Sequence, residues 1–219
     1  MSKRYGLTFM NPKSKAVPFG YLLLLYLLLT TPGFATTKIL ILGDSITEGY
    51  GVDMEQAYPT LLEKALHDQG YKDIQVINGG VSGATTASGL SRFKNWYLRN
   101  DPQIVMIALG ANDGLRGIAI AESKKNILAI IKIAKEKKMQ VLLAGMQLPP
   151  NYGKGFTESF AQMYVDIAKQ EKIALLPFLL EEVGGKPAMN LADGIHPNAK
   201  GHERICQTVL PFLRNLLSK

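Results

Sequence analysis

Short, continuous runs of hydrophobic residues recur along the chain from residue 38 onward, and each ends at glycine, asparagine or proline. These runs occupy residues 38–42, 74–77, 104–109, 141–144 and 173–176. A strand that is apolar at every position is covered on both faces, as in a parallel sheet that is packed between helices. The runs therefore predict five strands of a parallel sheet.

The segments between these runs carry hydrophobic residues three or four positions apart, which is the spacing of an amphipathic helix. The pattern predicts helices over residues 58–67, 121–135, 160–168 and 202–217. Strands that alternate with helices form right-handed crossovers, so we expect an α/β fold, a three-layer α/β/α sandwich with a five-stranded parallel sheet. The expected topology is the flavodoxin-like strand order 2-1-3-4-5.

The first 35 residues differ in composition from the rest of the chain. They contain four basic residues and no acidic residue, followed by a hydrophobic run over residues 19–29. Small residues at Gly33 and Ala35 fit a signal-peptidase site, which predicts a signal peptide over residues 1–35 and a mature domain over residues 36–219. The run is shorter than the ~20 residues that span a bilayer, which makes an uncleaved anchor the less favoured alternative. We therefore expect an exported protein, periplasmic or secreted, with no stable membrane span after cleavage.

The formal net charge of +7 comes largely from this N-terminal segment. When its four basic residues are removed from the 25 of the whole chain, the balance against 18 acidic residues is only +3. The remaining charges are intermixed in sign and form no basic stripe with interleaved aromatic residues, which argues against nucleic-acid binding. The single cysteine, Cys206, excludes an intramolecular disulfide, and its apolar neighbours predict a buried, unreactive thiol.

Four loops that contain polar residues are expected to meet at one edge of the sheet. They are Gly43-Asp44-Ser45, Gly79-Gly80-Val81-Ser82-Gly83, Gly110-Ala111-Asn112-Asp113 and Asp193-Gly194-Ile195-His196. The first three follow the first three strands, whose carboxyl ends share an edge, and the fourth leads into the last helix. Each loop alone is also compatible with ordinary turn or helix-capping chemistry. Their combination, in this order, is far more specific.

In this combination the loops resemble the four sequence blocks of the SGNH hydrolases, also called the GDSL lipases and esterases. The resemblance rests on Ser45, Gly83, Asn112 and the pair Asp193 and His196, and it extends over the whole mature chain. Within the family, the sequence is most similar to the exported acyl-CoA thioesterase and lysophospholipase members from Gram-negative bacteria.

The resemblance implies a catalytic triad in which Ser45 is the nucleophile, His196 is the base and Asp193 orients the imidazole. It also implies an oxyanion hole that is formed by the backbone N–H groups of Ser45 and Gly83 and by the side-chain amide of Asn112. This chemistry requires no metal and no cofactor. We expect a monomer whose partner is a small acyl ester or thioester substrate.

The resemblance and the loop positions together place the acyl group beside Leu115, Tyr152 and Phe156, which are expected to form apolar walls. Such walls favour fatty-acyl esters or thioesters, including acyl-CoA, lysophospholipids and small aryl or alkyl esters. A carbohydrate O-deacetylase or an arylesterase would use the same site residues, so both remain alternatives. Asp44 and Asp113 flank the site residues and are expected to organise the loops rather than to act as the triad acid.

Overall fold

The computed structural model describes residues 36–218, together with residues 1 and 6. The predicted signal peptide, residues 1–35, lies outside the described part of the chain except for those two positions. Within the described residues, no helix combines the length and the hydrophobicity that are needed to cross a bilayer.

Five parallel strands form one sheet, as the hydrophobic runs predict. Their bounds are β1 Thr37–Gly43, β2 Ile74–Gly80, β3 Ile104–Ala108, β4 Gln140–Ala144 and β5 Ala174–Leu176. The strands lie in the order β2-β1-β3-β4-β5, which confirms the predicted topology. In β1 the side chains from Ile39 to Leu42 are all fully buried, because helices cover both faces of the sheet.

The helices of the described residues lie between the strands in the chain and after the last one. Their bounds are α1 Ser45–Glu48, α2 Tyr58–Asp68, α3 Thr86–Asn100, α4 Ala111–Leu115, α5 Ile120–Glu136, α6 Lys154–Glu171 and α7 Ala199–Leu217. Short 3-10 turns occupy Met54–Gln56, Pro150–Tyr152 and Pro187–Met189. Helix α2 packs against α7, and α5 packs against both α3 and α6, so two helical layers enclose the sheet. The three-layer sandwich is confirmed.

The hydrophobic pattern does not predict helix α3, whose residues are mostly polar. Its buried positions are Thr86, Gly89 and Phe93, which form only a narrow stripe facing the rest of the fold. A side chain at position 89 would collide with the side chains of Leu109 and Ile130. The glycine therefore permits close packing at a position where it lowers the helical propensity.

A buried histidine connects the last helix to the beginning of the fold. His202 in α7 is fully buried, and its Nδ1 accepts a 3.2 Å hydrogen bond from the backbone N–H of Tyr58. The Tyr58 hydroxyl shares a 2.8 Å hydrogen bond with Thr47 Oγ1 in α1. Burial lowers the pKa of His202 to about 4, so its imidazole is neutral in the folded protein at neutral pH.

Cys206 lies in the same helix and is also buried. Burial raises the pKa of its thiol to about 11, which keeps the sulfur protonated and unreactive at neutral pH. The prediction that Cys206 is buried is confirmed.

The substitution His202→Gln tests this packing through the pH dependence of stability. An unfolded chain protonates its histidines near pH ~6.5, whereas His202 in the folded protein resists protonation until about pH 4. As the pH is lowered from ~6.5 to about 4, the unfolding free energy of the wild type therefore falls by roughly 3 kcal/mol relative to that of His202→Gln. Chemical denaturation of both proteins at about pH 7 and about pH 4.5 measures the difference. If the difference in unfolding free energy between the wild type and His202→Gln is the same at both pH values, a neutral, buried His202 is contradicted.

Candidate active site

The end of β1 leads directly into the expected nucleophile. Asp44 follows the strand and caps α1, because its carboxylate accepts a 3.1 Å hydrogen bond from the Ile46 N–H. Ser45 is the first residue of that short helix. A side chain at Gly80, the last residue of β2, would overlap the backbone nitrogen of Glu48. Glycine at this position therefore allows α1 to lie against the end of the neighbouring strand.

Ser45, His196 and Asp193 form a continuous hydrogen-bonded chain. His196 Nε2 lies 3.0 Å from Ser45 Oγ, and His196 Nδ1 lies 2.7 Å from Asp193 Oδ2. Because the carboxylate can only accept, the proton of a neutral imidazole belongs on Nδ1, and Nε2 is left to accept from the serine hydroxyl. The fold thus brings together two residues, Ser45 and His196, that are 151 positions apart in the sequence.

The Asp193 carboxylate is fixed by the backbone that follows it. Its Oδ1 accepts hydrogen bonds from the backbone N–H groups of Ile195 at 2.9 Å and His196 at 3.0 Å. The bond from the His196 backbone, followed by that from the His196 ring and that from Ile195, lowers the pKa of Asp193 to about 2. The carboxylate is therefore ionised near neutral pH and stabilises a positive charge on the adjacent imidazole.

One tight loop carries both the histidine and its carboxylate partner. The Leu191 N–H donates a 2.8 Å hydrogen bond to the His196 carbonyl oxygen, which closes the loop. Gly194 has a φ of +70°, in the left-handed region that favours glycine. This geometry explains why Asp193 and His196 can face each other across only two intervening residues.

An aromatic ring that the sequence analysis does not identify lies against the imidazole. The centroid of the Tyr50 ring is 4.6 Å from that of the His196 ring, and the two planes are tilted by 43°. Tyr50 follows Gly49, whose φ of +90° ends α1 and turns the chain. The Tyr50 ring therefore packs against one side of the imidazole. The sequence signal for this role is weak, since it consists of an aromatic residue just after the Gly-Asp-Ser segment.

Gly83 and Asn112 lie on two loops that contact each other. Asn112 Nδ2 donates a 3.0 Å hydrogen bond to the carbonyl oxygen of Ala84. Because the Asn112 amide oxygen can only accept, this bond determines which way the side-chain amide is turned. Gly83 adopts a φ of +74°. Within the described residues, the backbone N–H groups of Ser45 and Gly83 donate to no backbone acceptor. Both groups are thus free to donate to a substrate oxygen.

Asp113 connects the Asn112 loop to the start of α3. Its buried carboxylate accepts hydrogen bonds from the Thr86 N–H at 2.9 Å, from the Thr86 hydroxyl, and from the Ser123 hydroxyl at 3.1 Å. Three donors on two helices therefore fix the residue next to Asn112. This is the loop-organising role that the sequence predicts for Asp113.

Asp44 is a second buried carboxylate beside the site. Burial raises its pKa to about 6, against the opposing effect of the hydrogen bond from Ile46. Within the described residues, the hydrogen-bonded carboxylate partner of His196 is Asp193 and not Asp44.

Among residues 36–218, no three His, Cys, Asp or Glu side chains are grouped so that they could hold a metal ion.

A groove of about 300 Å³ with mainly apolar walls opens beside the serine. Three of its lining residues, Ile46, Ala111 and Ile195, are the sequence neighbours of the expected catalytic and oxyanion residues. The groove therefore lies beside the segments that carry Ser45, Asn112 and His196. Its walls include Leu148 from the loop after β4.

Of the three expected wall residues, Leu115 lines the groove, whereas Tyr152 and Phe156 do not. The Tyr152 hydroxyl donates a 3.3 Å hydrogen bond to the Leu115 carbonyl oxygen. The Phe156 ring packs instead near that of Phe160, with a centroid distance of 6.3 Å. Residues after β5, including Phe178, contribute to the wall, and the hydrophobic pattern gives no sign that this segment folds over the site.

A known protein family matches most of this sequence. The GDSL-like Lipase/Acylhydrolase family matches residues 41–204. The chain is 44% identical over 193 residues to the esterase TesA of Pseudomonas aeruginosa, which covers 88% of this chain and 96% of that protein. It is 35% identical over 202 residues to the thioesterase 1/protease 1/lysophospholipase L1 of Escherichia coli (strain K12), which covers 92% of this chain and 93% of that protein.

A solved structure shares both the fold and part of the sequence. The psychrotrophic esterase EstA from Pseudoalteromonas sp., inhibited by monoethylphosphonate, matches with a TM-score of 0.79 and 30% sequence identity, covering 84% of this chain and 100% of that chain. The strand order, the four loops and these relatives agree with one another. The chain therefore belongs to the GDSL-like lipase/acylhydrolase family of ester hydrolases.

Proposed function

We propose that this protein hydrolyses fatty-acyl esters and thioesters, with Ser45 as the nucleophile, His196 as the base and Asp193 as the orienting carboxylate. The observation that carries the proposal is the hydrogen-bonded chain from Ser45 Oγ through the His196 ring to Asp193 Oδ2, with distances of 3.0 and 2.7 Å. Neighbours of these residues, Ile46 and Ile195, line a mainly apolar groove. Membership of an acylhydrolase family supports the same chemistry.

In the first half of the reaction, Ser45 Oγ attacks the carbonyl carbon of the substrate while its proton passes to His196 Nε2. The ionised Asp193 stabilises the imidazolium that results. The carbonyl oxygen becomes negatively charged and accepts hydrogen bonds from the N–H groups of Ser45 and Gly83 and from Asn112 Nδ2. The intermediate then collapses, the bond to the alcohol oxygen or thiol sulfur breaks, and His196 returns the proton to the leaving group.

In the second half, a water molecule gives a proton to His196 and attacks the carbonyl carbon of the acyl-serine ester. The same three donors stabilise the second tetrahedral intermediate. Its collapse releases the carboxylic acid and restores the Ser45 hydroxyl, with the proton returned from the imidazole. Loss of a single donor of this kind lowers the rate of acyl transfer by roughly 100- to 1,000-fold, so accurate placement of all three is central to the mechanism.

The groove determines which acyl group is favoured. Its walls, which include Leu115, Leu148, Phe178 and Leu180, offer few hydrogen-bonding groups, so they suit a hydrocarbon chain better than a sugar. The names of two relatives, an esterase and a thioesterase/lysophospholipase, describe enzymes that act on acyl bonds of this kind. Fatty-acyl thioesters and lysophospholipids are therefore favoured over acetylated carbohydrates.

We infer that the enzyme acts after export, in the periplasm or the medium. This inference is supported by the basic start of the chain and by the hydrophobic run that precedes Gly33 and Ala35. We also propose that the enzyme is a monomer, since the hydrogen bonds that join Ser45, His196 and Asp193 form within one chain.

The substitution Ser45→Ala is expected to abolish hydrolysis of p-nitrophenyl butyrate and of palmitoyl-CoA, because it removes the nucleophile. A fluorophosphonate probe should add covalently to the wild type and not to Ser45→Ala, as measured by intact-protein mass spectrometry. Ser91→Ala is the matched control, since it removes the hydroxyl of an exposed serine in α3 and should leave labelling unchanged. Labelling and turnover that persist in a folded Ser45→Ala protein would refute the proposal.

A larger side chain in the groove is expected to shorten the acyl chain that the enzyme accepts. Gly184 lines the groove, and a β-carbon there would lie 3.3 Å from the Phe178 ring, so a leucine would occupy part of the space. We expect Gly184→Leu to lower kcat/KM for p-nitrophenyl palmitate by roughly 10- to 100-fold. The value for p-nitrophenyl butyrate should change much less and serves as the internal control. An equal loss for both esters would place the acyl chain elsewhere.

A further inference from the structure

Arg92 extends from α3 to the two strands that lead into the catalytic loops. Its Nη2 donates a 3.0 Å hydrogen bond to the carbonyl oxygen of Gly43 and a second hydrogen bond to that of Gly79. Gly43 ends β1, two positions before Ser45, and Gly79 lies near the end of β2, four positions before Gly83. A single guanidinium nitrogen thus joins the origins of both loops.

Arg92 is half-buried, and part of its guanidinium is enclosed by the protein. Its Nε and Nη1 atoms are buried and have no hydrogen-bond partner among the described residues. Asp44 and Glu48 lie near enough for their negative charges to oppose the effect of burial on the pKa of the guanidinium. Burying an incompletely paired charge is destabilising, because the charge loses its hydration. An apolar side chain could pack α3 against the sheet without this loss of hydration free energy. Packing alone therefore does not account for an arginine at this position.

Other hydrogen bonds join the same two segments, because β1 pairs with β2 as far as Gly43 and Gly80 and further bonds follow in the loops. The Val81 N–H donates to the Gly43 carbonyl oxygen at 3.3 Å, and the exposed Glu48 carboxylate accepts from the Ser82 N–H at 2.8 Å. These bonds align the outer parts of the loops. Arg92 adds hydrogen bonds from α3 to the carbonyl oxygens of Gly43 and Gly79, at the point where the two loops leave the sheet.

We propose that Arg92 is a positioning residue for catalysis, which holds the ends of β1 and β2 together and so sets the distance between the backbone donors of Ser45 and Gly83. The proposal rests on the function proposed above for Ser45. Both donors must reach the same oxygen in the transition state, and a misplacement of about 1 Å lowers a rate by up to ~100-fold. Arg92 does not line the groove, so its effect falls on kcat rather than on acyl binding.

The substitution Arg92→Met tests this role, because it retains an unbranched apolar stem and removes both donated hydrogen bonds. We expect kcat for p-nitrophenyl butyrate to fall by roughly 10- to 100-fold while KM stays within about twofold of the wild type. The rate is expressed per active site, counted by complete labelling with a fluorophosphonate, so that unfolded protein does not contribute. Arg99→Met makes the same change at an exposed arginine of α3 and should retain the wild-type kcat. Arg92→Lys retains a charged donor and should recover part of the lost rate.

A wild-type kcat per labelled site in Arg92→Met would overturn the proposal, and so would an equal loss in Arg99→Met. If Arg92→Met does not fold, Arg92→Lys and Arg92→Gln replace it, and wild-type rates in both would overturn the proposal. Ser45→Ala in the same assay separates this inference from the proposed function. Activity in Ser45→Ala would refute the nucleophile, whereas an inactive Ser45→Ala beside a fully active Arg92→Met would refute only the role of Arg92.

Discussion

A serine hydroxyl becomes an effective nucleophile only where a base can accept its proton, and the fold has to bring that base to it. In this protein the 3.0 Å contact between Ser45 Oγ and His196 Nε2 joins residues 151 positions apart. The parallel sheet fixes the serine at its carboxyl edge, and α7 anchors the loop that carries the histidine. Behind this contact, His202 of α7 accepts a hydrogen bond from Tyr58, and Tyr58 bonds to Thr47 in the helix that begins at Ser45. The two residues of the proposed catalytic pair are thus connected through the protein interior.

Two buried carboxylates, Asp44 and Asp113, and the half-buried Arg92 lie next to the site residues. Loops that leave a parallel sheet carry N–H and C=O groups without a strand partner, and such groups require hydrogen bonds when they are buried. Asp44 accepts from the Ile46 N–H, Asp113 accepts from the Thr86 N–H, and Arg92 donates to two carbonyl oxygens at the strand ends. These charged groups add hydrogen bonds to the backbone of the loops and of the strand ends from which the loops leave the sheet. The burial that raises the pKa of Asp44 is a consequence of this arrangement.

The strands, and the loops that follow from the order of hydrophobic and polar segments along the chain, could be predicted from the sequence. Continuous hydrophobic runs identify the strands, and their carboxyl ends identify the loops that carry Ser45, Gly83 and Asn112. The loop that carries His196 is identified by its position before the last helix. Helix α3 could not be identified in this way, because its close packing depends on a glycine and a few buried positions. The roles of Tyr50 and Arg92 depend on where a side chain points after folding, which spacing along the chain does not reveal. The same limit explains why Phe156, an expected wall of the groove, packs instead near a neighbour on its own helix.

The structure of the protein after reaction with a small phosphonate tests the proposed mechanism most directly, because the tetrahedral phosphorus stands in for the reacting carbon. We expect a covalent bond between Ser45 Oγ and phosphorus. The phosphoryl oxygen should lie about 2.7–3.1 Å from the backbone nitrogens of Ser45 and Gly83 and from Asn112 Nδ2. Phosphorus bound to another residue, or a phosphoryl oxygen that faces away from Gly83 and Asn112, would contradict the assignment of both the nucleophile and the oxyanion hole.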